Sequence, residues 1–158
     1  MDIAISGVIG LAGTIIGAAL TYIFQERSAR RAEASKLRQE LRAERRNVYS
    51  AFLTSLSELE RSELDRYHRR TDARDSEAAI TARAESFRLK SIAQAALSQV
   101  RLVAESAELT AAAEDAWEET RCLHAANDQG DLSARNKRSA AAVDRFTTLA
   151  SAEVQAGT

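Results

Sequence analysis

The sequence predicts an all-α protein, an N-terminal transmembrane helix followed by long helices folding as an antiparallel three-helix bundle or coiled coil. Three observations predict it. The 158 residues contain no proline, and beyond residue 24 the only glycines are Gly130 and Gly157. Residues 3–24 hold no charged side chain. The remainder is rich in Ala, Arg, Glu and Leu and spaces its apolar residues with helical period, which is the composition of long helices. The 134 residues after the apolar stretch suffice for one domain with a modest core.

Ile3 to Phe24 is a run of 22 uncharged residues. At about 1.5 Å per residue such a helix spans about 33 Å, which matches a hydrocarbon core of about 30 Å. A helix satisfies its own backbone in lipid, and glycine is commonplace in helices that do so. A cleaved signal peptide would need a basic start, whereas Met1-Asp2 carries an acid and no Lys or Arg. Residues 1–24 are therefore read as a transmembrane helix. The basic residues follow the span rather than precede it, which predicts the N-terminus outside and the C-terminal domain in the cytoplasm. Tyr22 and Phe24 suit the interfacial aromatic belt.

Within the span, Ser6, Gly10, Gly13, Gly17 and Thr21 recur at spacings of three and four and share one helix face. Gly13 to Gly17 is a GxxxG match. Small residues let two backbones approach closely, so these five positions are expected to pack the span against a second copy or against a membrane partner.

Residues 25–46 form a basic juxtamembrane helix. Eight basic side chains face four acids there, and the distal region from residue 47 carries an acidic excess that leaves the chain at −1 overall. Arg27, Arg30 and Arg31 are placed to contact lipid headgroups and to set the topology, each worth about 1 kcal/mol near an anionic surface. Glu26–Arg30 and Glu33–Lys36 are ordinary helix-supporting spacings.

Residues 47–158 are expected to form the cytosolic bundle. An apolar stripe, Ala34, Leu37, Leu41, Val48, Phe52, Leu56 and Leu59, predicts a first helix running to about Arg70 with that face inward. Residues 71–77 are polar and offer Thr, Asp or Ser as a cap, so a turn is expected there, with a continuous helix as the alternative because Gly and Pro are absent. A second helical region runs from about 76 to 127. Ile80, Ala84 and Phe87 lie on one of its faces, and Leu89, Ile92, Ala96, Val100, Val103 and Ala107 on another, which predicts neighbours on both sides. A break near 105–110, capped by Thr110, is an alternative to continuity. Residues 127–133 form the clearest break, with Gly130 suited to a left-handed C-cap and Asp131 or Ser133 to the following N-cap. The last helix is expected over about 134–155, with Ala142, Val143, Phe146, Leu149, Ala150 and Val154 inward.

The chemistry-bearing residues form no constellation. Cys122 and His124 stand two apart, and on a helix they would point about 200° away from each other, so they do not converge. The single cysteine excludes an intramolecular disulfide and fits a reducing compartment. His68, in Tyr67-His68-Arg69-Arg70, complements a helix C-terminus. Trp117 stands among Glu114, Asp115, Glu118 and Glu119, as a snorkelling core residue or as an anchor for a basic partner. No Walker A, G-x-S-x-G or H-E-x-x-H pattern occurs. No enzymatic activity, cofactor, metal, nucleic acid or small-molecule substrate is expected.

Two stretches, residues 7–17 running into Leu20-Thr21-Tyr22, and residues 42–53 (Arg42-Ala43-Glu44-Arg45-Arg46-Asn47-Val48-Tyr49-Ser50-Ala51-Phe52-Leu53), resemble small uncharacterised single-pass membrane proteins of actinobacteria such as streptomycetes. That resemblance covers about the first 60 residues and implies a bacterial, membrane-anchored helical domain with no activity to carry over. The layout is also similar to the b subunit of ATP synthase, in architecture alone.

These readings point to a membrane-anchored, non-enzymatic interaction or scaffold protein of the bacterial cell membrane. Its partners would be lipids together with a second copy of itself or a membrane protein. The alternatives are a regulatory or sensory subunit of a membrane complex, or a phage- or defence-related membrane effector.

Overall fold

The computed structural model describes the backbone of residues 2–72 and 76–156, and side chains at 33, 35–69 and 76–156. All regular structure among these residues is helical: α1 (Asp2–Asp72), α2 (Glu77–Val103), α3 (Ala107–Arg121), a short 3-10 turn (Leu123–Ala125) and α4 (Gln129–Ala156). The all-α expectation therefore holds, while four α-helices replace the three expected. The chain divides into two compact units, Met1–Leu41 and Arg42–Thr158.

In the first unit, the side chains described are exposed throughout, Leu37 and Leu41 among them at 57% and 45%. The stripe was expected to turn both leucines inward, and they are not covered. Lys36 and Glu40 form a loose i,i+4 pair at 3.9 Å. The predicted span, with Ser6, Gly10, Gly13, Gly17 and Thr21, lies outside the residues described in full, as do Arg27, Arg30 and Arg31. Among the described residues no helix is long and apolar enough to cross a membrane.

The second unit is an up-down-up-down bundle, and the pairings give its directions. Arg45 reaches Val103 and Glu105 while Glu63 meets Ser86, so α2 runs back along α1. Arg101 pairs with Glu114, Arg145 with Glu108 and Arg138 with Glu119, which sets α3 against α2 and α4 against α3. Its main core gathers Tyr49, Phe52 and Leu56 of α1, Leu97 and Val100 of α2, the Leu109–Ala116 face of α3, and Phe146 and Ala150 of α4. Phe146 meets Phe52 and Tyr49 edge-on at 5.1 and 5.9 Å, the geometry that aromatic quadrupoles favour. Fully burying a Phe or Leu is worth about 1.5–3 kcal/mol, and Ala112, Ala113 and Ala116, all at 0% exposure, let α3 lie close to its neighbours.

The breaks differ in detail from those expected. Ser76 caps α2 by accepting from the Ala79 N–H at 3.1 Å. At the next corner Ala104 is extended and Ser106 accepts from the Leu109 N–H at 3.0 Å. Ser106 rather than Thr110 is thus the cap, and the region 76–127 is two helices. A serine at this corner supplies a side-chain acceptor that the alternative, an unbroken helix, would not use. Gly130 is not a C-cap: it is the second residue of α4, and no described glycine has positive φ. Asp128 accepts from the Asp131 N–H at 2.8 Å and starts that helix, so neither Asp131 nor Ser133 is its cap. Asp131 instead accepts from the Asn127 N–H at 3.0 Å.

One face of α2 is covered, not two. Ala79, Ala82, Ser86, Leu89, Ala93, Leu97 and Val100 are buried, whereas Ile80, Phe87 and Ile92 are largely exposed. Four helices in a ring give each one inner face, and the second apolar face of α2 points to solvent. The expected inner face of α4 stands, with Phe146 and Ala150 buried and Ala142, Val143, Leu149 and Val154 packed at the margin of the core.

Candidate functional site

Toward one end of the bundle, the core stripe of α1 is interrupted by a carboxylate. Four residues after Leu59, and so on the same helix face, Glu63 has a fully buried side chain. Its Oε1 accepts from Ser86 Oγ at 2.5 Å and from Lys90 Nζ at 3.2 Å, both on α2. Its Oε2 is in contact with His124 Nδ1, contributed by the 3-10 turn after α3. Arg66, one turn further along α1, donates to Ser86 Oγ at 3.2 Å. Arg66 and Lys90 also stand over the Phe87 ring, 5.4 and 5.9 Å from its centroid, where a cation is attracted to the ring face.

Burial pushes the Glu63 carboxyl up, as desolvation disfavours charge. The His124 contact, the Ser86 hydroxyl and the Lys90 ammonium more than offset it, and the group is held below the usual carboxylate range. The result is an anion enclosed by donors from two other elements. The carboxylate is fully buried, with Oε1 hydrogen-bonded and Oε2 against the imidazole. The cluster ties α1, α2 and the 3-10 turn together.

The helical spacing assumed for Cys122 and His124 does not apply to them. They lie at the end of α3 and in the 3-10 turn rather than along one α-helix, and the imidazole is turned to Glu63. Among the described residues no group of His, Cys, Asp and Glu is arranged to hold a metal ion. His68 lies edge-on to Tyr67 near the end of α1, 5.4 Å between ring centroids. Trp117 packs against two of the core clusters, in keeping with a core role. Its acidic neighbours are spoken for: Glu114 pairs with Arg101, Asp115 with Arg145, Glu118 with Arg121 and Glu119 with Arg138.

Sequence reasoning missed Glu63. The signal was present, since the stripe Phe52, Leu56, Leu59 continues at residue 63 with an acid where an apolar side chain was due. Its partners, 23 to 61 residues away in the chain, could not be named from spacing.

A second polar cluster holds the opposite end. Arg45 donates to the Val103 carbonyl at 3.2 Å and to Glu105 at 2.5 Å. Glu153 accepts from the Tyr49 hydroxyl and from the backbone N–H groups of Glu105 and Ser106. Beside it, a shallow cleft between α1 and α4 is lined by Tyr49, Leu53, Ala150 and Val154.

Compared with known proteins, residues 46–154 match a family model described as KilB plasmid transfer protein. The match covers most of the bundle, with both polar clusters included apart from Arg45. No curated protein and no solved structure matches.

Proposed function

From the premise that the chain belongs to the KilB plasmid transfer protein family, we propose that it is a membrane-anchored, non-enzymatic scaffold in plasmid transfer. Its bundle would be held at the cytoplasmic face of the cell membrane and would engage a second copy or a membrane partner through the span and the helical domain. The observation that carries this reading is the uncharged run Ile3–Phe24 with Arg27, Arg30 and Arg31 shortly after it, the pattern of a span with its C-terminal side inside. The internal use of Glu63, His124 and Lys90 supports a binding rather than a catalytic role. The actinobacterial resemblance of residues 7–22 and 42–53 belongs to the same reading.

Full-length protein expressed in its host should sediment with membranes and require detergent for release. A periplasmic-type reporter fused at the C-terminus should be silent and a cytoplasmic one active. Deleting residues 3–24 should abolish the contribution of the chain to plasmid transfer between mating cells. Unprocessed protein that stays in the supernatant without detergent, with transfer unaffected by the deletion, would sink the reading. Gly13→Ile with Gly17→Ile should weaken crosslinking between spans, as bulky side chains keep the backbones apart.

A further inference from the structure

Leu37 and Leu41 stand four residues apart on α1, 57% and 45% exposed. Leucine pairs at this spacing are the d and a positions of a heptad. The flanking charges then sort by side. Glu33 and Glu40 fall at g, Arg38 falls at e, and all three are exposed. Gln39 falls at f, on the back of the helix.

We propose that residues 33–41 pair with the same segment of a second copy, in parallel and in register, as a short coiled-coil stem. In that arrangement the g residue of one helix meets the e residue five positions on in the other. Glu33 of one copy therefore faces Arg38 of its mate twice over, once on each side of the leucine seam. An antiparallel pair would bring g to g and e to e, which sets acid against acid and base against base. The charge pattern thus selects both the partner and its direction. It does not suit burial in lipid, since acids alternate with bases around the leucines, whereas a surface-seeking helix carries a basic polar face.

Two leucine layers are too few to hold a free dimer, because short isolated helices are marginal in water. The stem needs its two chains brought together, which the proposed anchoring does by confining both to one membrane and raising their effective concentration. The inference rests on that reading.

The test uses the full chain in native membranes, with Cys122→Ser as background and a single cysteine introduced by Leu37→Cys, Leu41→Cys or Gln39→Cys. Under mild oxidation, L37C and L41C should each form disulfide-linked homodimers, and Q39C several-fold fewer. Adding Glu33→Arg or Arg38→Glu alone should lower the L37C dimer several-fold, and the two together should restore it. A rescue of this kind is not expected if the leucines merely lie against lipid or another protein. Linking between L37C and L41C in mixed chains, without linking of either to itself, would overturn the parallel register. Equal linking at all three positions, or none in chains that pellet with the membrane, would overturn the stem and leave the anchoring intact. Chains found in the supernatant would remove the anchoring and this inference with it.

Discussion

Tyr49 on α1 donates its hydroxyl to Glu153 Oε1 on α4 at 2.6 Å, joining residues 104 apart in the chain. The same carboxylate receives the backbone N–H groups of Glu105 and Ser106, at 3.3 and 3.4 Å, where α2 turns into α3. Two of the four helices and the corner between the other two therefore meet at one acid. Burial, and then the hydrogen bond to Glu153, push the Tyr49 phenol well above its ordinary value, so it remains a neutral donor. Tyr49→Phe removes one hydrogen bond and should cost about 1 kcal/mol. Glu153→Ala also frees the corner amides and should cost more. Urea unfolding of the two variants beside the wild type would check the order.

Glu63 should matter more than any surface acid. Glu63→Ala leaves the partly buried Lys90 and His124 without their anion and should cost about 2–3 kcal/mol in urea unfolding. Most other ion pairs, such as Arg88–Glu85 and Arg101–Glu114, are exposed and should contribute little.

The same carboxylate makes stability depend on pH. Its folded value lies below its ordinary 4.5, so the folded state binds fewer protons there than the unfolded chain. The stabilisation is complete well above pH 4.5 and is lost as pH falls through the lowered folded value. Melting temperature measured down an acid series should fall more steeply for the wild type than for Glu63→Gln, which has nothing to titrate at that position. Parallel curves would refute the assignment.

Phe146 is the centre of the main core, fully buried and edge-on to both Tyr49 and Phe52. Phe146→Ala should open a cavity and cost about 3–5 kcal/mol, seen as a lower denaturation midpoint. Ser106→Ala should cost about 1 kcal/mol as the loss of a helix cap. Hydrogen exchange at the first turn of α3 would locate that effect.

Much of the second unit was legible in residue order. The stripe of α1 from Phe52 to Leu59 and the inner face of α4 follow from spacing alone, because a helix repeats its faces every three to four residues whatever surrounds it. The corner at 104–106 was harder, because a single serine cap carries little signal without Gly or Pro. The polar residues 127–133 marked a break, but it ends at Asp128, which does the capping, and residues 129–133, Gly130 among them, belong to α4.

What residue order by itself determined is the helical class, the uncharged stretch at residues 3–24 with its basic flank, and which α1 and α4 faces are apolar. These are local properties of charge, volume and backbone preference. Tertiary structure alone decided which apolar faces are covered. Ile80 and Phe87 obey the same periodicity as Leu89 and Val100, yet lie outside, because a four-helix ring offers each helix one interior side. It likewise decided that Glu63 is an enclosed anion, since a carboxylate can be buried only where Ser86, Lys90 and His124 arrive from distant parts of the chain to replace the water it loses.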